Sequence, residues 1–485
     1  MSDTARRVAA GAGWLYGYRW IERLLDFVSI VVLARILAPE DFGLVAIAAS
    51  FVAIIEGLSA FDVNKALIRT RDEHRSLYDS AWTLSALRGF ATALIMLAIA
   101  PIVTDARISA VLAVLALSPL MTGLSNPRFV MFERDLVYSK LAILTLGAKV
   151  VSFTVTLVLA LLYRSYWSLV IGLLVGGLIT MILSYVLKPY RPTVSFSRFS
   201  DIFAFSGWLS LTSIVTTLSM ETDKLIVGRL LGVADAGLYF MTQRVGVLPT
   251  RELISPLQRI LLPSFSELTH DRQRLRRVAC ESINILGSLS IPAGFGFALI
   301  AADFVPLTLG DQWTSIVPLL TIFVPYLGLR AALSMTLPCV MALGRTKLLF
   351  WVSLAYAFVH LPAFIGGTAW FGLTGAIVSI VLAGVLYSYL NAWMLNRTLD
   401  ISLREILSRI KRPLLASLLM VGAVLLLDWL LPTESPSESG SWLALSLKIV
   451  FGGVAYSSAL YGMWRLDDRP EGIERRLLQL LDRTD

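Results

Sequence analysis

Apolar stretches of about 20 residues, the length needed to cross a bilayer as a helix, recur along the chain with short polar breaks between them. They fall at 11–37, 41–67, 80–102, 108–127, 140–162, 166–187, 203–231, 235–262, 279–301, 315–343, 348–367, 371–396, 413–431 and 442–464. Lipid supplies no hydrogen-bond partners, so segments of this length must close their backbone bonds internally as helices. The pattern predicts an all-α polytopic membrane protein of about 14 transmembrane helices.

Composition agrees. Of 485 residues, 56% are hydrophobic and 16% charged, against roughly 25% charged in soluble domains, and the mean hydropathy is +0.73. Three histidines and two cysteines are too few for a disulfide framework or a Cys/His metal cluster. Arg6 and Arg7 precede a segment longer than a signal-peptide core and interrupted by charges, so no cleavable leader is expected. The net charge of +8 is explained by placement. When successive connections alternate between sides, one side takes Arg69, Arg71, Arg75, Arg128, Arg134, Lys140, Lys188 and Arg191, then Arg272 to Arg277, Arg345, Lys347, Arg397, Arg404 and the basic tail. The other side has Arg35, Arg107, Arg164 and Arg229. Cations collect on the cytoplasmic side of membrane proteins, so the asymmetry predicts that both termini are cytoplasmic. No nucleic-acid partner is needed to account for it.

Sliding the chain on itself by 194 residues aligns two halves without a gap. Gly13-Trp14-Leu15 meets Gly207-Trp208-Leu209, Arg35 meets Arg229, and Asp41, Gly43 and Leu44 meet Asp235, Gly237 and Leu238. Six predicted helices separate the copies, so the repeats run parallel. They divide the chain into an N-lobe at 1–190, a C-lobe at 191–400, and a further pair of helices with an amphipathic cytoplasmic tail at 401–485. Parallel repeats of this kind build transporters that rock about a central site.

Against this apolar background some charges stand out. The first segment carries Arg19, Glu22, Arg23 and Asp26 on one helical face, and each such charge at mid-membrane costs about 2.5–3.5 kcal/mol on insertion scales. At the same offset the seventh segment is polar and continues to Glu221 and Lys224. The eighth adds Arg244, Arg251 and Gln258, spaced by sevens, and the second ends in Lys65. Two readings stay open: internal neutralisation, Arg19 with Glu22 and Arg23 with Asp26, or the lining of a hydrated cavity. Intramembrane charge favours the second. Lys149, His360 and Asp428 stand alone in the sequence and read as local packing or rim residues. The triplet Asp41-Phe42-Gly43 opens a helix with no kinase context, and neither a G-x-x-x-x-G-K-[ST] nor an H-E-x-x-H sequence occurs. Nothing in these patterns points to an enzyme, a cofactor or a metal.

The stretch Leu33-Ala34-Arg35-Ile36-Leu37-Ala38-Pro39-Glu40-Asp41-Phe42-Gly43-Leu44 resembles the first-loop signature of bacterial polysaccharide exporters of the Wzx, colanic-acid-exporter-like type. Those belong to the multidrug/oligosaccharidyl-lipid/polysaccharide (MOP) superfamily. Phe132-Glu133-Arg134-Asp135-Leu136, Ile226 to Gly232 with Gly237-Leu238-Tyr239, Leu262-Pro263-Ser264-Phe265-Ser266, Gln312-Trp313 and Leu343-Gly344-Arg345 are similar to it in the same order. The resemblance implies a flippase moving undecaprenyl-pyrophosphate-linked oligosaccharide units by alternating access, for exopolysaccharide or O-antigen export. Implied partners are that lipid-linked substrate, membrane lipids, a polysaccharide polymerase and a chain-length regulator. A lipid II-type flippase and a cation-coupled drug antiporter of the same superfamily are the alternatives. The residue pattern then assigns Arg19, Arg23, Lys65, Arg244, Arg251 and Gln258 to substrate phosphates. Glu22, Asp26 and Glu221 become candidates for coupling an ion.

Overall fold

The computed structural model describes residues 3–58, 67, 74–135, 137–198, 207–430 and 438–466. Among the described residues every regular element is helical. The elements are α1 (Asp3–Ile36), α2 (Pro39–Leu58), α3 (Arg75–Ile99), α4 (Ala106–Leu115), α5 (Leu117–Gly123), α6 (Tyr138–Tyr163), α7 (Trp167–Leu187) and α8 (Gly207–Leu230). They continue as α9 (Val233–Gly246), α10 (Leu248–Glu267), α11 (Arg272–Thr308), α12 (Val317–Ala332), α13 (Thr336–Ala342), α14 (Thr346–Leu399), α15 (Leu403–Leu430) and α16 (Glu438–Leu466). Ten helical stretches among the described residues are long and apolar enough to cross a membrane, which makes this a multi-pass membrane protein. The helices outside that set are α1, α8, α9 and α10, the ones on which the sequence concentrates its intramembrane charge.

Several breaks follow from proline and glycine. The stretch read as one helix over 108–127 is two, because Pro119 has no N–H to give Leu115, where α4 stops. That over 235–262 turns at Val247, with Pro249 in the first turn of α10. The 54 residues of α14 would extend roughly 80 Å at 1.5 Å per residue, far beyond a bilayer core of about 30 Å. They form two antiparallel arms that reverse at Gly372, whose φ of 62° favours glycine.

The chain forms two compact units, residues 1–237 and 238–485. In the first, α1 packs on α6, α6 on α7, α2 on α4 and α8, and α3 on α5. Its core includes Val45, Met96, Val111, Leu112 and Val170. Gly43 on α2 and Gly237 on α9 meet backbone to backbone. A Cβ on Gly43 would collide with the Val233 carbonyl and lie 2.9 Å from the Gly237 nitrogen. One on Gly237 would collide with the Pro39 carbonyl and lie 3.0 Å from the Gly43 nitrogen. The segment after α7 is tied to the start of α3. Tyr190 donates to Asp79, as do the Thr193 amide at 3.1 Å and hydroxyl at 2.7 Å. Burial, and then that bond to the carboxylate, hold the Tyr190 hydroxyl above its ordinary pKa.

In the second unit α11 is the hub, packing on α10, α12, α15 and α16. A core of Phe265, Leu275, Ile283, Met335 and Leu395 lies toward the end where α11 begins and α14 finishes. α12 packs on α14, and α15 on α16.

Candidate functional site

In the first unit the charged face of α1 looks toward α6. There the Lys149 ammonium lies 2.6 Å from an Asp26 oxygen and 3.4 Å from a Glu22 oxygen. Lys149 stands near the middle of the 26-residue α6, so the pairing sits at mid-membrane depth. Its side chain is 24% exposed, those of Glu22 and Asp26 32% and 43%. Lys149 is therefore not the isolated residue that its sequence neighbours indicate: it is the helix-to-helix counter-ion of both α1 carboxylates. Lys149 reaches both acids at once, and a shared cation between two carboxylates offsets their mutual repulsion.

With Glu22 and Asp26 so engaged, Arg19 is half-buried, its guanidinium 5.7 Å from the Tyr18 ring centroid. Its buried Nε has no hydrogen-bond partner among the described residues. Arg23, one turn on, is also half-buried. Farther along this unit Glu221 and Lys224 form an ion pair at 2.6 Å within one turn of α8. Lys65 lies outside the described residues.

In the second unit Arg244 near the end of α9 and Arg251 near the start of α10 are exposed, and Gln258 is half-buried. The turn at Val247 falls between the two arginines. Asp428, which also reads as isolated, is paired: the Lys448 ammonium of α16 lies 3.0 Å from Asp428 of α15 and 2.8 Å from Asp303 of α11. This triad joins three helices near the ends of α11 and α15. His360 is buried and stacks on Tyr356 at 5.1 Å with an interplanar angle of 12°.

One group that the sequence reading passed over is Arg330, near the end of α12. Its guanidinium stands 5.4 Å from the Tyr387 ring centroid, and Tyr326 and Tyr356 also adjoin it. The signal available was a single arginine inside an otherwise apolar window, 315–343. Among the described residues no His/Cys/Asp/Glu group is arranged to hold a metal ion.

The chain has counterparts among known proteins. The chain is 25% identical over 421 residues to the lipopolysaccharide biosynthesis protein WzxC of Escherichia coli, covering 85% of this chain and 86% of that one. It is 26% identical over 466 residues to the succinoglycan biosynthesis transport protein ExoT of Rhizobium meliloti, covering 93% and 92%. Among solved structures, the lipid II flippase MurJ in an inward closed conformation superposes with a TM-score of 0.71 at 14% identity, covering 92% of this chain and 98% of that one. An inward-facing multidrug resistance MATE family transporter of the MOP superfamily gives 0.59 at 14% identity, covering 80% and 95%. At such identities these structures establish the fold. The resemblance drawn from the ordered motifs is borne out at the level of sequence family, because the model of that family matches residues 32–318. The chain belongs to the polysaccharide biosynthesis protein family.

Proposed function

We propose that this protein is a flippase that moves a polyprenyl-pyrophosphate-linked oligosaccharide across the bacterial inner membrane. It works as a transporter and not as an enzyme. The observation that carries the reading is on α1: a half-buried Arg19 whose Nε has no partner among the described residues, beside acids paired with Lys149. A guanidinium in that condition is suited to a phosphate, which accepts two parallel charge-assisted hydrogen bonds from its planar fork. Arg19 and Arg23 of the first unit, with Arg244, Arg251 and Gln258 of the second and with Lys65, are the groups proposed to bind the phosphates and the adjoining sugar. Glu22 and Asp26, which exchange Lys149 for a proton or metal cation, are the proposed coupling groups, and Glu221 is a third. The N-lobe at 1–190, the C-lobe at 191–400 and the appended 401–485 are the proposed functional divisions. Polymerase and chain-length regulator are the proposed partners that receive the flipped unit.

The kinship to WzxC and ExoT, both named for polysaccharide pathways, supports a sugar polymer precursor over a lipid II-type substrate. The arginines support an anion over the cationic cargo of a drug antiporter.

The experiment is reconstitution of the purified protein in liposomes carrying a polyprenyl-pyrophosphate oligosaccharide with a label on the sugar. Wild type should bring the label to the opposite leaflet, and Arg19→Ala should slow this at least about tenfold, the loss of one charge-assisted contact. Arg19→Lys should recover part of the rate. Equal movement by empty liposomes and by wild-type protein, or full activity in the Arg19/Arg23 double alanine, would end this reading.

Orientation has its own check. In a background with the buried Cys280 and Cys339 replaced, Arg272→Cys and Arg404→Cys should resist an impermeant thiol reagent in intact spheroplasts, while Asp105→Cys should react. The opposite pattern would place both termini outside and reverse the direction of transport.

A further inference from the structure

Arg330 poses a physical problem that the α1 charges do not. It is twelve residues from the end of the Asp311–Ala342 span, or roughly 18 Å at 1.5 Å per residue. Tyr356 and Tyr387 on the two arms of α14 stand ten and twelve residues from Thr346 and Leu399, at the end of the bilayer to which both arms return. All three therefore lie near the midplane of a core about 30 Å thick. No carboxylate among the described residues forms an ion pair with Arg330. What surrounds it is aromatic: the Tyr387 ring at 5.4 Å, Tyr356 against Tyr387 at 4.8 Å, and His360 stacked on Tyr356.

The local sequence explains the arrangement. Tyr326 and Arg330 are four apart on α12, Tyr356 and His360 four apart on α14, and Gly384 and Tyr387 three apart on its second arm. Each pair thus shares one helical face. Gly384 is necessary to the packing, since a Cβ there would collide with the Tyr326 phenol. That phenol is buried and interacts with the guanidinium beside it, but forms no hydrogen bond of ordinary geometry among the described residues.

A cation–π contact offsets part of the cost of a buried guanidinium, but it satisfies none of the N–H donors in the plane of the fork. The Tyr326 hydroxyl lies on the same face of α12, one turn away, and interacts with the guanidinium. We propose that Arg330 and Tyr326, walled by Tyr356 and Tyr387, form an oxyanion-binding site at the membrane midplane of the second unit, taking a phosphoryl or carboxylate group. The guanidinium offers two parallel donors to such a group, the phenol a third, and the rings present faces against which a sugar attached to it can rest. This site is separate from the cations of α1 and stands whether or not the chain moves lipid-linked sugars.

The test uses the purified full-length protein in lipid nanodiscs, with thermal unfolding followed against inorganic pyrophosphate, glucuronate or sodium chloride at matched ionic strength. Wild type should be stabilised by pyrophosphate or by glucuronate, whichever anion fits, and not by chloride. Arg330→Gln should weaken that response at least about tenfold, as the loss of a charged hydrogen-bond donor does, and Tyr326→Phe should weaken it by less. The difference between wild type and R330Q isolates this site from arginines elsewhere. If R330Q gives no cooperative unfolding, Arg330→Lys is read the same way, with a several-fold loss expected because the fork is gone. A wild-type response no greater than that to chloride, or one that R330Q or, failing it, R330K leaves unchanged, overturns the proposal. Anion binding lost with R330Q while wild-type protein moves no lipid-linked sugar would retain this site and remove the proposed function; the converse would do the reverse.

Discussion

Two cations near the bilayer midplane are accommodated in opposite ways. In the first unit Lys149 is surrounded by more negative charge than it carries, with two carboxylates on the neighbouring helix. In the second, Arg330 has aromatic rings and phenols in place of carboxylates. The chemistry of the two cations matches their settings. An ammonium is a compact charge that calls for point counter-charges, and a guanidinium is planar, weakly hydrated and stacks on rings. The first arrangement sets one cation between two carboxylates. The second sets its cation among aromatic faces, with no ion-paired carboxylate among the described residues, which is the setting of the anion site proposed above.

That contrast is open to direct attack. The largest effect is expected from Lys149→Ala, which leaves Glu22 and Asp26, one turn apart on α1, without the cation they share from α6. Removing one member of a fully buried pair costs about 3–5 kcal/mol, and the partial exposure of these side chains lowers the expectation to about 2 kcal/mol. Denaturant or thermal unfolding of the purified protein should show that loss, and adding Glu22→Gln and Asp26→Asn to the same chain should restore most of it. An unchanged midpoint in K149A would mean that the acids are solvated on their own, and the contrast would collapse to one unusual arginine.

A smaller effect sharpens the other side. Tyr387→Leu removes the ring beside Arg330 and should lower stability by about 1 kcal/mol, within the range for desolvated cation–π contacts, whereas Tyr387→Phe keeps the face and should change it by less than about 0.5 kcal/mol. Equal losses in the two variants would assign the role to the Tyr387 hydroxyl and not to its ring.

How much of this was legible in the sequence depends on the range of the interaction. The helices were, because their apolar length is a local property, and so was the charged face of α1, because four side chains at helical spacing lie within eight residues. The breaks at Pro119, Val247 and Gly372 concern single backbone groups and were legible only in part. The partner of Glu22 and Asp26 was not, since Lys149 is more than a hundred residues away and carries no pattern of its own. For the same reason Asp428 read as solitary until Lys448 was found across α15 and α16. Arg330 was invisible for a different reason: one charge does not disturb an 18-residue average, and tyrosines in a membrane helix ordinarily read as interface residues.

The meeting of Gly43 and Gly237 has a consequence for how such a chain can change. The two positions are the same position in the two copies of the repeat, and the obstacles they would meet, the carbonyls of Val233 and Pro39, are also equivalents of each other. Each glycine is thus the reason its own duplicate must remain glycine. Duplication ordinarily frees one copy to drift while the other keeps the old task. Here a methyl group gained by either copy strikes the backbone of the other, so redundancy confers no tolerance at this point. The facing residues illustrate the rule from the other side: proline in one copy and valine in the other, they have diverged in side chain while presenting the same carbonyl.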